Sequence, residues 1–300
     1  CLLLFILFIQ ARASSFMPAV TNYLAKDYEA GYQNWACAQG SNGEMYFGNS
    51  QGLLVYDGYR WTLHKVPGNH IVRSVYVKED RIYVGAFEEF GYFKYSEAGT
   101  LRYHSLSKFL KNFPMENNEI WNIVELDGRI YFQSFSAWFS YDGKMVHAFR
   151  NRQQQPLYFY TQNGHIYTQM IDEDFYEFDG KDFLHLFPRS QVNDDNVVAL
   201  LPDGDDSFLM VTENNGLFRY NGDITPWKTD IDAELKKQRV NRAVMTNDSI
   251  FMIGTVLNGI YAIDRKGHCL WHFNLDNRLE NNTVLGLFCD KDNNVWAALD

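Results

Sequence analysis

One stretch near the N-terminus contains four short apolar runs separated by turn residues. It reads WACAQ (35–39), the turn GSNG (40–43), EMYFG (44–48), then GLLVYDG (52–58) and WTLH (61–64). Runs of four to seven residues bounded by Gly, Asn and Asp are typical of β-strands joined by tight turns. The stretch therefore predicts four consecutive antiparallel strands.

The same pattern of short apolar runs and turn residues recurs along the whole chain. The central residues of the second run in each copy are spaced by about 42 residues on average, and they are Tyr46, Tyr83, Tyr131, Tyr167, Leu209, Phe251 and Trp296. The third run also recurs, as WFSYDG (138–143), FYEFDG (175–180), GLFRYNG (216–222) and the looser GIYAID (259–264). Four strands in a repeat of this length indicate a β-propeller.

The sequence thus predicts an all-β fold, a β-propeller of four-stranded antiparallel blades. Seven copies indicate about seven blades, the last of them truncated at Asp300. A β-solenoid is the competing architecture, although its repeats are usually shorter, and the period-2 alternation excludes a helical repeat. Two short helices are expected as insertions between blades, at 106–113 and at 231–238, the second with Asp230 or Asp232 as its N-cap.

Composition and charge exclude several classes of function. The 300 residues are 46% hydrophobic and 21% charged, which is typical of a globular protein and not of a disordered one. The formal net charge is −10. A basic surface for nucleic acid is therefore not expected, since phosphate contacts need clustered Lys and Arg.

The N-terminal residues resemble the end of a secretory signal. An apolar run (2–9) too short to span a bilayer precedes the small-x-small pattern Ala11-Arg12-Ala13. We interpret residues 1–13 as a signal-peptide remnant and residues 14–300 as a propeller domain that is incomplete at its C-terminus. Cys37, Cys269 and Cys289 are expected to be buried apolar side chains, and a Cys269–Cys289 disulfide stays open.

The blade repeat resembles the two-component regulator propeller family. The family pattern is Asp or Asn with Gly, an apolar-aromatic pair ending in Gly, then Gly-Leu and Tyr-Asp-Gly, and it is best kept at 42–58, 214–222 and 290–298. Residues 22–35 are similar to the start of a subgroup in which such propellers precede a triple-tyrosine domain. Gln133 and Gln169 depart from the pattern in place of the closing Gly, and Leu209 in place of the aromatic residue.

The resemblance implies the periplasmic or extracytoplasmic sensor region of a membrane-anchored Bacteroidetes regulator. It implies a following propeller or β-sandwich in the same chain, a membrane helix, and a histidine kinase or DNA-binding output beyond the residues given. The expected ligand is an oligosaccharide or another small molecule, because many members resemble sensors that control polysaccharide-utilisation genes. No cofactor, metal or direct nucleic-acid contact is expected, and homodimerisation stays open.

Candidate ligand residues follow from the repeat. Loops that lead into the first strands and loops between the second and third strands share one face of a propeller. This face is expected to carry aromatic rings, amides and charged groups, which is the mixture that sugar recognition uses. The predicted ligand-binding residues are Asn34, Trp35, Arg73, Glu88, Glu89, Trp121, Trp138, Tyr160 and Arg242. Further residues expected on this face are Asn49, Gln51, Phe135, Tyr158, Asp172, Glu173, Glu213, Asn214, Asn241 and Asn258.

Other functions have weaker support in the sequence. A propeller glycosidase or polysaccharide lyase would need a carboxylate pair, for which Glu88 or Glu89 with Asp172 or Glu173 are candidates. A calcium loop at 290–294 lacks the central Gly of such loops. A protein-binding scaffold is the third alternative, and for any single aromatic residue, simple packing between blades competes with a role in binding. We expect no catalysis in this region.

Overall fold

The structure of the protein, a computed structural model, describes residues 17–204 and 207–300. The described residues form six sheets of four strands and one sheet of two strands. In each sheet the strands follow chain order and neighbouring strands are antiparallel. The predicted all-β propeller is confirmed, with six complete blades and a seventh that has two strands. The predicted signal-peptide remnant, residues 1–13, lies outside the described residues.

The first three blades hold strands β1 to β12. Blade 1 consists of β1 (Asn34–Gln39), β2 (Met45–Asn49), β3 (Gly52–Tyr56) and β4 (Trp61–His64). Blade 2 consists of β5 (Val72–Lys78), β6 (Arg81–Ala86), β7 (Phe90–Tyr95) and β8 (Leu101–Ser105). Blade 3 consists of β9 (Asn122–Leu126), β10 (Arg129–Gln133), β11 (Trp138–Tyr141) and β12 (Val146–Phe149).

The remaining blades hold strands β13 to β26. Blade 4 consists of β13 (Pro156–Gln162), β14 (His165–Met170), β15 (Phe175–Phe178) and β16 (Phe183–Phe187). Blade 5 consists of β17 (Val197–Pro202), β18 (Phe208–Thr212), β19 (Leu217–Tyr220) and β20 (Ile224–Trp227). Blade 6 consists of β21 (Val240–Met245), β22 (Phe251–Thr255), β23 (Ile260–Ile263) and β24 (Cys269–Phe273), and blade 7 of β25 (Val284–Cys289) and β26 (Val295–Leu299).

The first strands of the seven blades form a closed ring. Each packs against the first strands of both neighbouring blades, including β25 of blade 7 against β1 of blade 1. The backbone N–H of Lys291 donates to Oε1 of Gln39 at 2.9 Å, which joins the last blade to the first. The ring surrounds a central channel, and the apolar cores lie between adjacent blades.

Helical segments are short and lie at the ends of the strands. The α-helices are α1 (Ala25–Tyr28) and α2 (Asp232–Gln238), and single 3-10 turns cover Pro67–Asn69, Ser107–Phe109 and Arg189–Val192. The helix predicted at 231–238 is confirmed. Its predicted N-cap is wrong, because Ile231 occupies that position and Asp232 is already helical. The helix predicted at 106–113 is also wrong, since only one 3-10 turn forms there before the chain passes over blade 3.

In five blades, either a glycine or a glutamine lies where the second strand meets the next blade. Gly48, Gly85 and Gly254 allow the next blade to approach closely: a Cβ at Gly48 would lie 2.8 Å from the carbonyl oxygen of Val72, and one at Gly85 would lie 2.4 Å from Cγ2 of Ile120. In blades 3 and 4, a buried glutamine occupies this region instead. Nε2 of Gln133 donates to the carbonyls of Pro156 and Leu157, both at 3.0 Å.

Gln169 joins blade 4 to blade 5 at the equivalent place but uses both ends of its amide, whereas Oε1 of Gln133 is buried without a hydrogen-bond partner among the described residues. Its Oε1 accepts from the backbone N–H of Val197 at 2.8 Å, and its Nε2 donates to the carbonyl of Asp195 at 3.0 Å. A primary amide offers both a donor and an acceptor, so it satisfies backbone groups that close approach would otherwise bury unpaired. These two departures from the repeat pattern are therefore compatible with the propeller.

We expect the substitution Gly85→Ala to destabilise the protein by about 1–3 kcal/mol, because the added methyl group overpacks the contact with Ile120. Urea denaturation followed by circular dichroism measures the change. The exposed Glu97→Ala in the same blade serves as control and should change stability by no more than about 0.5 kcal/mol. An unchanged denaturation midpoint for Gly85→Ala would contradict the close approach.

The turn that follows the third strand explains the repeated Tyr-Asp-Gly pattern. In blade 3, the hydroxyl of Tyr141 donates to the carbonyl of Gly143 at 2.8 Å. Oδ1 of Asp142 accepts from the backbone N–H of Met145 at 2.8 Å and of Lys144 at 2.9 Å. Gly143 has a φ of 93°, in the region that glycine adopts without steric cost.

The turn geometry shifts the acidity of its carboxylate. The N–H groups of Met145 and Lys144 stabilise the charged form of Asp142 and hold the pKa of this carboxyl below its ordinary value. The carboxyls of Asp57 and Asp179 have a lowered pKa for the same reason. A carboxyl whose pKa is lower in the folded state than in the unfolded state stabilises the protein at pH values above its unfolded-state pKa. This stabilisation is lost as the pH falls through the folded-state pKa.

We therefore expect Asp142→Asn to be less stable than the unchanged protein at pH 7, with the difference shrinking as the pH falls below about 4. Urea denaturation at a series of pH values measures this dependence. Asp292→Asn, at an exposed site, is the control and should change the stability at pH 7 by no more than about 0.5 kcal/mol. A difference between Asp142→Asn and the unchanged protein that stays constant across the pH range would refute the role of the turn carboxylate.

Candidate functional site

Six of the seven first strands have a β-bulge near their start. The register shifts between Asn34 and Ala36 in β1 and between Val72 and Ser74 in β5, and similar shifts occur in β13, β17, β21 and β25. A bulge inserts an unpaired residue and changes the direction of its side chain. In β1 and β5 the inserted residues are Trp35 and Arg73, at the channel on the face that also carries the loops between second and third strands. We call this the upper face.

Arg73 lies between two indole rings at the upper end of the channel. Its guanidinium carbon is 3.8 Å from the ring centroid of Trp35 and 4.7 Å from that of Trp121. Nε and Nη2 of Arg73 both donate to Oε1 of Glu119 at 3.1 Å. The three blades that supply these residues are thus held together by one cation, two rings and one carboxylate.

The row of aromatic rings continues into blade 4. Trp121 stacks on Phe135 with the centroids 5.6 Å apart, and Phe135 makes an edge contact with Tyr158 at 5.6 Å. The guanidinium of Arg242, from blade 6, lies 5.6 Å from the ring centroid of Tyr158. We call these residues the channel cluster, which consists of Trp35, Arg73, Trp121, Phe135, Tyr158 and Arg242.

The chemistry of the channel cluster suits a ligand with both apolar and polar faces. All six members are partly exposed, although the side chain of Arg73 is only 12% exposed. Within the described residues, Nε1 of Trp35 and Nη1 of Arg73 are buried and have no hydrogen-bond partner. Flat rings pack against the C–H face of a sugar, and guanidinium groups bind planar or anionic oxygen groups.

Four of the nine predicted ligand-binding residues meet in this cluster, and they are Trp35, Arg73, Trp121 and Arg242. Asn34 and Tyr160 lie beside it and are engaged within the protein. Oδ1 of Asn34 accepts from Nδ2 of Asn49 at 2.9 Å. The hydroxyl of Tyr160 donates to the carbonyl of Val197 at 2.6 Å, and burial raises the pKa of Tyr160 well above its usual value.

Trp138 does not join the cluster. It is 5% exposed and stacks on Phe149, with the ring planes 7° apart and the centroids separated by 5.7 Å. Its other contacts are edge contacts with Phe178 and Phe183 of blade 4. Packing between blades thus accounts for this tryptophan.

Glu88 and Glu89 are both engaged by donors of the protein. Oε1 of Glu89 accepts from the hydroxyls of Tyr103 at 3.0 Å, Ser105 at 2.9 Å and Ser107 at 2.7 Å. Burial, together with the nearby Glu89 carboxylate, raises the pKa of Tyr103 far above its usual value, so this hydroxyl remains a donor. Oε1 of Glu88 accepts from the backbone N–H of Asn117 at 2.8 Å. These contacts tie the loop to β8 and to the chain that enters blade 3.

We expect Glu89→Gln to lower the stability by about 1–3 kcal/mol, because three hydroxyls lose a charged acceptor. Glu88→Gln, in the same loop, replaces the acceptor of a single backbone donor and should cost less. Thermal unfolding of both variants measures the difference. Equal midpoints for the two variants would show that the three hydroxyls contribute little.

The other polar sites considered from the sequence have structural contacts. Oδ1 of Asp290 accepts from the backbone N–H groups of Asp292 and Asn294, at 3.0 and 2.8 Å, and Oδ2 accepts from Nε1 of Trp296 at 2.9 Å. Among the described residues, no group of three or more His, Cys, Asp or Glu side chains could hold a metal ion. Cys37, Cys269 and Cys289 are free thiols. The prediction that all three are buried is wrong, because Cys269 is exposed and Cys37 and Cys289 are only half-buried.

A cavity of about 770 Å³ lies away from the channel, beside β26. It is lined by the aromatic rings of Tyr23, Trp271 and Trp296, among others. Complete blades have their third and fourth strands at this position. In keeping with this, β26 is mostly half-buried, whereas β2, β18 and β22 are buried throughout. We therefore attribute the cavity to the two-stranded blade and not to a ligand site.

Comparisons with solved structures place the fold among sensor ectodomains and other propellers. The extracellular domain of a putative hybrid two-component system from B. thetaiotaomicron aligns with a TM-score of 0.71 and 19% identity over 90% of this chain and 37% of its own. A second such domain from the same organism aligns with a TM-score of 0.68 and 15% identity over 94% and 41%. The WD40 propeller domain of Doa1 aligns with a TM-score of 0.66 and 8% identity over 89% and 90%.

The two sensor ectodomains are of the kind that the blade repeat resembles. At these identities the likeness shows a shared propeller fold. The chain spans about two fifths of the length of the two sensor chains, at 37% and 41%. No family model matches the sequence, and no curated protein matches it. In the described part of the chain, no helix is long and apolar enough to cross a membrane.

Proposed function

We propose that this propeller is the ligand-sensing region of an extracytoplasmic sensor and that it binds a glycan-derived ligand at the channel cluster. The observation that carries the proposal is the row of partly exposed rings and guanidinium groups between Trp35 and Arg242. The fold shared with extracellular domains of hybrid two-component systems supports the sensing role.

Binding becomes a signal only if the ligand favours one arrangement of the protein over another. The channel cluster draws residues from blades 1, 2, 3, 4 and 6, so a ligand held there contacts several blades at once. The proposed signal is a change in how this propeller packs against a following propeller or β-sandwich of the same chain. That change would pass through a membrane anchor to a kinase or DNA-binding output.

We propose that this region acts by binding and not by catalysis. The carboxylates of Glu88 and Glu89, which are the candidate half of a catalytic pair, accept hydrogen bonds from a backbone N–H and from three hydroxyls. A glycosidase or lyase would need carboxylates turned toward the substrate. Their observed contacts favour structural roles.

The proposal predicts that an oligosaccharide stabilises the protein and that Trp121→Ala weakens its binding by about tenfold or more, because the ring is lost from the middle of the cluster. Thermal unfolding across an oligosaccharide panel identifies ligands, and isothermal titration calorimetry measures affinity. Trp271→Phe in the outer strand of blade 6 is the matched control and should bind normally. Absence of stabilisation by every member of the panel would refute the glycan ligand, and loss of binding in both variants would argue against this site.

A further inference from the structure

The two arginines of the channel cluster differ in how their charges are balanced. Arg73 is paired with Glu119, and its side chain is only 12% exposed. Nη1 of Arg242 donates to the carbonyl of Asn241 at 2.8 Å and approaches its Oδ1 at 3.4 Å. In residues 17–204 and 207–300, no carboxylate lies within ion-pair distance of Arg242.

The geometry leaves part of the Arg242 guanidinium free to bind a ligand. Only Nη1 donates to the protein, so Nε and Nη2 have no partner among the described residues. The guanidinium carbon lies 5.6 Å from the ring centroid of Tyr158, and Nη1 is held by Asn241, so the group is placed beside the row of aromatic rings. A guanidinium presents its N–H groups as a planar fork that matches a carboxylate or a sulfate.

Three acidic groups of the upper face are engaged by other groups of the protein. Glu119 accepts from Arg73, and Glu213 pairs with Arg239. The buried carboxylate of Asp195 accepts from the backbone N–H of Asn214 at 2.6 Å and from that of Asn196 at 2.9 Å. Although the protein has a net charge of −10, the guanidinium of Arg242 thus has no counter-ion within ion-pair distance among the described residues.

We propose that the ligand of the channel cluster is an anionic saccharide whose acidic group pairs with Arg242. Its sugar ring would pack on Tyr158, which lies next to the guanidinium, and on Phe135, which contacts Tyr158. This inference rests on the proposed function and specifies the ligand class for the same site. The acidic group is the carboxylate of a uronic acid or a sulfate ester, since both offer planar pairs of anionic oxygens to the fork.

The test compares three oligosaccharides of equal length: one made of uronic acids, one sulfated and one neutral. Isothermal titration calorimetry at low and at physiological salt measures their affinity for the protein. We expect at least one acidic oligosaccharide to bind about tenfold or more tightly than the neutral one, with affinity falling as salt rises. The acidic oligosaccharide that binds more tightly shows whether the anionic group is a carboxylate or a sulfate.

Arg242→Gln should reduce the affinity for that acidic ligand by about tenfold or more, and Arg242→Lys should restore part of it. Arg239→Gln is the matched control, because Arg239 lies on the same face but is paired with Glu213. Circular dichroism establishes that each variant is folded. Equal binding of neutral and acidic oligosaccharides, or full affinity in Arg242→Gln, would overturn this inference and leave the proposed function standing. If no oligosaccharide binds, both fail together.

Discussion

The approach of each blade to the first strand of the next is the constraint on which the rest of this structure depends. Gly48, Gly85 and Gly254 each lie one residue before the end of the second strand, where a methyl group would collide with the next blade. The colliding group is the backbone carbonyl of Val72 at Gly48 and a side chain, of Ile120 or Val284, at the other two glycines. Where Gln133 or Gln169 lies instead, an amide hydrogen-bonds the backbone across the gap. Both solutions hold adjacent blades at a spacing that allows the ring of first strands to close around the channel.

The channel cluster is a consequence of this ring. Adjacent first strands are close enough for side chains of one blade to reach past its neighbour, so Trp35 of blade 1 touches Trp121 of blade 3 with centroids 6.0 Å apart. The β-bulges at Trp35 and Arg73 supply the change of direction that a regular strand would lack. Scaffold and candidate site are therefore made of the same strands.

Much of the fold follows from the sequence, because turn chemistry and strand alternation are local properties. The Tyr-Asp-Gly turns illustrate this: hydroxyl, carboxylate and left-handed glycine each have a role within four residues. The helix at 106–113 failed as a prediction because apolar residues there pack onto blade 3 through tertiary contacts, as the core positions of Leu106, Leu110 and Phe113 show.

Less of the candidate site follows from the sequence. The repeat assigns residues to the correct face, but a side chain's direction depends on bulges and on neighbouring blades. Trp138, at the start of β11, turns into the space between blades, and Glu89, in the loop before β7, turns toward β8, although the repeat assigns both to that face. Glu119, the partner of Arg73, was not among the predicted residues, since it lies outside the repeated strands in a segment that follows blade 2.

The cross-channel contacts have a mechanical consequence. Each first strand of five to seven residues spans about 15–20 Å, so a small tilt at its upper end moves the opposite end by a comparable distance. Trp35, Arg73 and Trp121 hold the upper ends of three blades in contact. A ligand inserted between these side chains would therefore tilt the first strands of those blades. The turns on the opposite face of the propeller would then move when a ligand binds at the channel.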